Sequence, residues 1–183
     1  MGAVSAGPAD EGVAGGSNDP SATTGRDGSP GRRGGPVLLV GSNGGHLAQL
    51  VPLRSWLSGR DRAWVTFRKA DAVSQLAGER VHWAYFPTTR NVPNLVRNFF
   101  LAIRVLRAER PRAIISTGAA VAFPFFVVGR LMRIPTVYVE VFDRMDSPTL
   151  TGRLCRPFSS MMCVQWPEQA RFYPSARVVG PLL

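Results

Sequence analysis

The sequence predicts an α/β protein with a Rossmann-like parallel sheet flanked by helices. Three observations favour this class. From Pro36 onward, short runs rich in β-branched and aromatic residues alternate with stretches of helical apolar spacing. The first of these runs ends in a glycine-rich turn that leads directly into a helix. Hydrophobic residues make up 45% of the 183 residues, which is enough to build the core of one domain.

The predicted strands and helices largely alternate along the chain. Strands are expected at 37–40, 64–67, 82–86, 113–116, 136–140, 161–164 and 177–179. Helices are expected at about 46–57, 71–76, 94–109, 121–132 and 150–154. Asn94 has the side chain of a helix N-cap, and Pro135 separates the apolar fourth helix from the fifth strand. We interpret that apolar helix as part of the core.

The first 35 residues differ in composition from the rest. They contain ten of the 19 glycines and almost no large apolar side chain, so we predict a disordered tail at 1–35 and a folded domain at 36–183. The tail has several acids and no apolar stretch of signal-peptide length, so no export signal is expected. The longest uncharged apolar run, 118–129, is shorter than the roughly 20 residues of a membrane-spanning helix.

The charge of the folded part indicates an anionic partner. The tail holds three of the 22 basic residues and four of the 12 acidic ones, which leaves a net charge of +11 on residues 36–183. Nucleic acid, an acidic membrane leaflet and a phosphorylated substrate all fit this charge. The two cysteines, Cys155 and Cys163, are interpreted as buried thiols of a reducing cytoplasm.

The turn after the first strand has the chemistry of a phosphate site. It reads Gly41-Ser42-Asn43-Gly44-Gly45-His46, and a strand that turns through glycines into a helix leaves backbone N–H groups free for an anion. His46 could donate a hydrogen bond or act as a base there. A tight turn without a ligand is the alternative. The spacing is not that of a dinucleotide fold, and the second strand ends in Phe67-Arg68-Lys69 without a ribose-binding acid.

A second glycine follows the fourth predicted strand. Gly118 stands where that strand turns into the next helix. Since the carboxyl ends of parallel strands meet at one edge of a sheet, both glycine turns are expected at the same edge. Two such turns favour a diphosphate over a single phosphate.

Several segments, in this order and spacing, resemble the PssD/Alg-fourteen family. The resemblance runs from about residue 37 to the last residue, and the block 138–153 (YVEVFDRMDSPTLTGR) is its most specific part. The other segments are Gly41 through His46, Ile115-Ser116-Thr117-Gly118, Val164-Gln165-Trp166-Pro167-Glu168 and Tyr173-Pro174. The sequence from Glu140 to Gly152 is more similar to that of bacterial exopolysaccharide PssD-type proteins than to that of the eukaryotic subunit.

This resemblance implies a fold and a function. Family members resemble the N-terminal half of the GT-B glycosyltransferase MurG and bind a lipid-linked acceptor, while a donor-binding partner subunit, PssE/Alg-thirteen-like, binds the nucleotide sugar. The chain is then expected to be a subunit of an inverting hexosyltransferase that is inactive alone. It would bind a polyprenyl-diphosphate-linked sugar in exopolysaccharide or lipid-linked oligosaccharide synthesis, as a peripheral protein at the cytoplasmic face of the plasma membrane.

The candidate site residues cluster at the predicted sheet edge. His46 and Glu140 are the expected catalytic residues, since transfer needs a base for the acceptor hydroxyl. The acceptor diphosphate is expected at Ser42, Asn43, Gly44, Gly45, Gly118 and Arg144. Glu140 could instead only anchor a loop. No Asp-x-Asp motif is present, so neither a metal nor another cofactor is expected in this half.

The helix predicted at 94–109 is a candidate membrane contact. An apolar and aromatic stripe is interleaved with arginines, which suits a helix that lies in an anionic membrane surface. The residues are Leu95, Phe99, Phe100 and Ile103, with Arg97 and Arg104. An ordinary core helix with a basic edge is the alternative.

Two other functions remain open at the level of sequence. The chain could be a non-catalytic adaptor or activator of a partner glycosyltransferase. It could also be a basic nucleic-acid-binding domain, but no interleaved aromatic platform or nucleic-acid motif is present, so we expect no nucleic-acid partner.

Overall fold

The structure, a computed structural model, describes residues 34–182. Seven strands form one parallel sheet in the order β3-β2-β1-β4-β5-β6-β7. The strands are β1 (Val37–Val40), β2 (Arg62–Phe67), β3 (Val81–Ala84), β4 (Ala113–Ser116), β5 (Thr136–Val139), β6 (Met161–Val164) and β7 (Arg177–Val178). The predicted α/β class is confirmed. The tail predicted at 1–35 lies, apart from Gly34 and Gly35, outside the described residues.

Six α-helices connect these strands. They are α1 (Gly45–Leu50), α2 (Leu53–Trp56), α3 (Ala70–Gln75), α4 (Val92–Glu109), α5 (Ala122–Leu131) and α6 (Leu150–Cys155). Two 3₁₀ helices, Arg156–Phe158 and Pro167–Phe172, flank β6. The single helix predicted after β1 is divided into α1 and α2 at Pro52, because proline supplies no N–H group to continue the helical hydrogen bonds.

The start of α4 differs from the prediction. Asn91 is the N-cap, since its side-chain oxygen accepts a hydrogen bond of 2.9 Å from the backbone N of Asn94. The prediction of Asn94 as the cap is therefore wrong. Pro93 fits the first helical turn, where a missing N–H group costs nothing. Asn94 lies inside that turn, and its side chain donates to the carbonyl of Pro87 at 2.9 Å.

The core consists of two apolar layers, one on each face of the sheet. Because side chains alternate along a strand, Leu38 and Val40 pack with α4, α5 and α6, while Val37 and Leu39 pack with α1, α2 and α3. α5 contributes the fully buried Phe125 and Phe126, which confirms that this apolar helix belongs to the core. Strands covered on both faces explain the continuous apolar runs in the sequence.

The strand order places the two glycine turns side by side. β1 and β4 are neighbours at the centre of the sheet, with Val40 paired to Ser116 in the register. The turn that follows β1 and the turn that follows β4 therefore leave the same edge together, as predicted. The loop after β5, which begins at Glu140, adjoins them because β5 pairs with β4.

Candidate active site

His46 and Thr117 join the two glycine turns. The imidazole Nδ1 of His46 lies 2.9 Å from the carbonyl oxygen of Thr117. In return, the hydroxyl of Thr117 donates to the carbonyl of His46 at 2.9 Å. Since a carbonyl only accepts, Nδ1 carries the proton, and the lone pair of a neutral imidazole is then on Nε2.

The surroundings of His46 favour its neutral form. Burial lowers the pKa of His46 below 6.5, and this outweighs the hydrogen bond to Thr117 and the nearby charges of Asp143 and Glu140, which raise it. At neutral pH the imidazole is therefore a proton acceptor at Nε2. This is the state that a general base requires.

The His46 ring borders two cavities. The smaller, of about 190 Å³, is lined by Gly45, His46, Gln49, Val141, Phe142, Asp143, Arg144 and Thr149. The larger, of about 460 Å³, is lined by His46, Thr89, Ala119, Arg144, Pro148, Thr149, Leu150 and Thr151. Arg144 lines both cavities, so a cation and a neutral imidazole face the same space. This combination can hold a phosphorylated ligand and accept a proton from it.

Glu140 is buried rather than facing these cavities. Its side chain is 1% exposed, and its oxygens accept hydrogen bonds from the hydroxyls of Tyr173 at 2.5 Å and Thr149 at 2.9 Å. The backbone N–H groups of Val141 and Thr149 donate to it as well. Burial and the Glu140 carboxylate raise the pKa of Tyr173, which keeps its proton in place for this bond. Glu140 thus fixes both ends of the loop that carries Asp143 and Arg144.

Gly152 is required by the same arrangement. A Cβ atom at this position would lie 2.5 Å from Oε2 of Glu140 and 3.0 Å from Oγ1 of Thr149. Its backbone N–H donates to that Thr149 hydroxyl at 2.9 Å. The glycine therefore allows α6 to approach the buried carboxylate closely.

Two amides of the glycine turns are bonded within the protein. The N–H of Gly44 donates to the carboxylate of Asp71 at 2.8 Å, and that of Gly118 donates to the hydroxyl of Ser116 at 3.0 Å. The bond from Gly44 lowers the pKa of Asp71. Both glycines have left-handed backbones, with φ of 69° and 112°. An anion at Gly44 must therefore compete with Asp71, which no sequence motif had indicated.

Three buried glutamines tie the site to the last described residues. The side chain of Gln165 donates to Gln49 at 2.6 Å and to the carbonyl of Glu140 at 2.9 Å, and accepts from the backbone N of Leu182 at 2.9 Å. Gln169 donates to the carbonyl of Val141 at 2.8 Å. The sequence indicated Gln165 only as part of a motif. It did not indicate that Gln49 is its hydrogen-bond partner, because the two residues are 116 positions apart.

One part of the sheet is open to an apolar groove. The groove has a volume of about 690 Å³ and lies over β5 and β6. Its wall includes Trp56, which is 66% exposed. The lining residues are Pro52, Leu53, Trp56, Ile115, Val137, Val139, Met161, Cys163, Val179, Pro181 and Leu182.

The predicted membrane-contact residues divide into two groups in α4. Phe100 is 69% exposed, and Arg97 and Arg104 are exposed beside it. Leu95, Phe99 and Ile103 are half-buried, and Phe99 packs edge-on against Phe123 at 5.9 Å. The exposed face of α4, its outer row, also contains the apolar side chains of Val92 and Val96, and the loop after β3 exposes Tyr85 and Phe86. The sequence had not indicated these four residues as part of a membrane contact. Within residues 34–182, no helix is both long and apolar enough to cross a membrane.

The parallel sheet flanked by helices defines the chain as a Rossmann-like domain with the fold of one half of a GT-B glycosyltransferase. Over 81% of its length it superposes on Acinetobacter baumannii MurG with a TM-score of 0.65, at 18% identity and covering 46% of that chain. The family model described as "Oligosaccharide biosynthesis protein Alg14 like" matches residues 37–182. The chain therefore belongs to the Alg14-like family, which confirms the resemblance drawn from its motifs.

Two relatives illustrate this membership. The chain is 29% identical over 158 residues to the UDP-N-acetylglucosamine--N-acetylmuramyl-(pentapeptide) pyrophosphoryl-undecaprenol N-acetylglucosamine transferase of Treponema pallidum (strain Nichols), covering 77% of this chain and 40% of the relative. It is 29% identical over 92 residues to the UDP-N-acetylglucosamine transferase subunit ALG14 of Yarrowia lipolytica, covering 47% of this chain and 43% of the relative. The chain thus matches less than half the length of each relative.

Proposed function

We propose that this chain is the acceptor-binding subunit of a bipartite glycosyltransferase. It binds a polyprenyl-diphosphate-linked sugar and works with a donor-binding partner subunit in exopolysaccharide or lipid-linked oligosaccharide synthesis. The observation that carries the proposal is His46, whose Nδ1 is held by Thr117 while its ring borders two cavities shared with Arg144. The relatives' names, which mention a pyrophosphoryl-undecaprenol substrate and a transferase subunit, support the same reading.

The proposed reaction is an inverting hexosyl transfer. Nε2 of His46 accepts the proton of the acceptor hydroxyl, whose oxygen forms a bond to the anomeric carbon of the donor sugar. The bond from that carbon to the nucleotide diphosphate breaks, and the diphosphate leaves with the electron pair. The neutral state of His46 supports its role as the base. The partner supplies the groups that stabilise the leaving diphosphate, so the chain alone is inactive.

The acceptor diphosphate is proposed to lie between Arg144 and the turn after β1. The exposed guanidinium of Arg144 supports a charged contact to phosphate oxygens. Ser42, Asn43 and the exposed backbone of Gly44 and Gly45 provide polar groups on the other side. Gly118 allows its turn to pack closely against the site, since a Cβ there would lie 2.7 Å from the hydroxyl of Tyr138 and 3.2 Å from the His46 ring.

The catalytic role of Glu140 stays a prediction. Its burial supports a role in which it acts through neighbouring residues rather than by contact with the acceptor. Its carboxylate holds the loop of Asp143 and Arg144 through Thr149 and Tyr173. Its charge also raises the pKa of His46 against the effect of burial. We propose that Glu140 positions Arg144 and stabilises the imidazolium that forms when His46 takes the proton.

Membrane contact is proposed at the outer row of α4 and the loop after β3. Exposed Phe100, Val96 and Phe86, next to Arg97 and Arg104, support an interfacial contact with an anionic leaflet. A peripheral position at the cytoplasmic face of the plasma membrane places the chain where polyprenyl-diphosphate sugars are accessible.

The partner subunit is proposed to dock on the apolar groove over β5 and β6. We commit to a donor-binding, PssE/Alg-thirteen-like subunit as the occupant. The relative from Yarrowia lipolytica is named a transferase subunit, and this name supports a partner on another chain. The exposed Trp56 and the apolar wall of the groove support an apolar partner surface.

Reconstitution tests this function. The chain, the partner and both together are incubated with a UDP-sugar and a polyprenyl-diphosphate sugar in vesicles, and transfer of labelled sugar is measured. Transfer should require both proteins, and a sugar lacking the diphosphate should not be an acceptor. Transfer by the partner alone at the rate of the pair would overturn the proposal. An adaptor would instead accelerate the partner without binding the acceptor itself.

A further inference from the structure

A separate cavity lies at the membrane-contact side of α4. It has a volume of about 210 Å³ and is lined by Tyr85, Arg97, Phe100, Leu101 and Arg104. None of these residues lines the two cavities beside His46. The proposed reaction gives this cavity no role.

The cavity is held in shape by two buried asparagines of α4. The side chain of Asn98 donates to the carbonyl of Tyr85 at 2.9 Å and accepts from its N–H at 3.0 Å. The side chain of Asn94 holds the carbonyl of Pro87 at 2.9 Å. Asn98 and Asn94 are only 1% and 7% exposed. These hydrogen bonds hold the backbone of Tyr85 against α4.

The charge of the cavity is positive and largely uncompensated. Arg97 donates to the neutral side-chain amide of Asn94 at 3.2 Å and lies over the Tyr85 ring at 5.9 Å. Among the described residues, neither Arg97 nor Arg104 forms an ion pair, and no acid lines the cavity. Two guanidinium groups, seven residues apart on one helix, can together hold one phosphate.

Exposed apolar side chains on α4 accompany the cavity, which points to a lipid. Phe100 lines the cavity and is 69% exposed, and Val96, one helical turn before it, is 47% exposed. A free phosphate ion gains nothing from exposed apolar side chains. A phospholipid has both parts, a phosphate for the arginines and acyl chains for Phe100 and Val96.

We infer that this cavity binds the headgroup phosphate of an anionic phospholipid in the membrane. The inference rests on the membrane contact of the proposed function but concerns a site apart from the acceptor site. It makes the contact a defined lipid site rather than a diffuse attraction. The double variant Arg97→Gln/Arg104→Gln removes its two charges, and Arg112→Gln/Arg133→Gln removes two exposed charges at the opposite edge of the sheet as a matched control.

Vesicle flotation of the full chain tests the inference. Vesicles of phosphatidylcholine alone are compared with equal parts of phosphatidylcholine and phosphatidylglycerol. The wild-type chain should bind the anionic vesicles, the Arg97/Arg104 variant should bind about 30-fold more weakly, and the matched control should change much less. Equal losses in both variants, or no loss in either, overturn the defined site. Circular dichroism and thermal melts confirm that both variants are folded.

A second arm distinguishes a lipid from a free phosphate. Short-chain phosphatidylglycerol below its micelle concentration and inorganic phosphate are titrated while the amide shifts of Tyr85 and Arg97 are followed by NMR. The lipid should shift these signals at concentrations where phosphate does not. Equal response to phosphate overturns the lipid assignment. Sugar transfer to an acceptor in detergent is measured in parallel. If that transfer persists while lipid binding is absent from the wild-type chain, the inference fails and the proposed function stands.

Discussion

His46 and Thr117 exchange two hydrogen bonds of 2.9 Å across the turns that follow β1 and β4. One fixes the proton on Nδ1, and the other fixes the backbone that carries the ring. The two residues are 71 positions apart, and only the pairing of β1 with β4 brings them together. This contact fixes the orientation of the His46 ring, which its proposed role as a base requires.

The lowered pKa of His46 predicts the pH dependence of transfer. The base must be neutral, so kcat/KM of the reconstituted pair should rise with pH through a value below 6.5 and then level off. Because burial lowers this pKa, activity should persist at a lower pH than an exposed histidine would allow. A pH–rate profile with wild-type chain measures it. An acid limb with an apparent pKa above 6.5 would contradict the account.

Tyr173→Phe tests the hydrogen bonds that enclose the Glu140 carboxylate. The variant keeps the ring but removes the donor that lies 2.5 Å from the buried carboxylate. Hydrogen bonds to charged groups are the strong ones, so the free energy of unfolding should fall by about 1.5–3 kcal/mol. Urea denaturation followed by fluorescence measures the change. Tyr85→Phe, at an exposed tyrosine, is the matched control and should change stability by no more than about 0.5 kcal/mol.

Gln165→Leu tests the buried glutamine network. The substitution leaves the carbonyl of Glu140 and the N–H of Leu182 without their side-chain partner. Each unsatisfied buried group costs roughly 1–3 kcal/mol, so we expect a clear loss of stability in urea denaturation. Gln75→Leu, at an exposed glutamine of α3, serves as the control. Similar stabilities of the two variants would show that the network contributes little.

Asp71→Asn tests the competition at Gly44. The variant removes the negative charge that now accepts the hydrogen bond from the Gly44 amide. If the acceptor diphosphate lies at this turn, inorganic pyrophosphate should bind the variant more tightly than the wild-type chain. Calorimetric titration measures both affinities. Asp61→Asn removes a charge that pairs with Arg80 elsewhere and should leave pyrophosphate binding unchanged. Equal affinities for the wild type and both variants would place the diphosphate away from Gly44.

The sequence was sufficient to predict the strands of the sheet but not the residues at which the helices begin and end. β1, β4 and β6 have the predicted bounds, because strands buried on both faces read as short continuous apolar runs. The predicted start of α4 was wrong because Asn91 and Asn94 are both residues that commonly cap a helix. Which one caps depended on Pro93 and on the contact of Asn94 with Pro87.

The candidate site was predictable where it depends on local pattern. Glycines before His46 and after β4 marked the edge of the sheet, and strand order then brought them together. Contacts between distant positions were not predictable. Asp71 reaches Gly44 across 27 positions, and Tyr173 reaches Glu140 across 33. The contact with Tyr173 explains why Glu140, which stands at a strand end and could have faced solvent, is enclosed.

Comparison of His46→Ala with His82→Ala tests the central claim most directly. His82, the other histidine of the chain, contacts Glu109 at 2.7 Å and lines neither cavity of the site. In the reconstituted pair, with complex formation confirmed, His46→Ala should lower kcat at least about 100-fold while His82→Ala retains transfer. If His46→Ala transfers sugar at the wild-type rate within an intact complex, His46 is not the base.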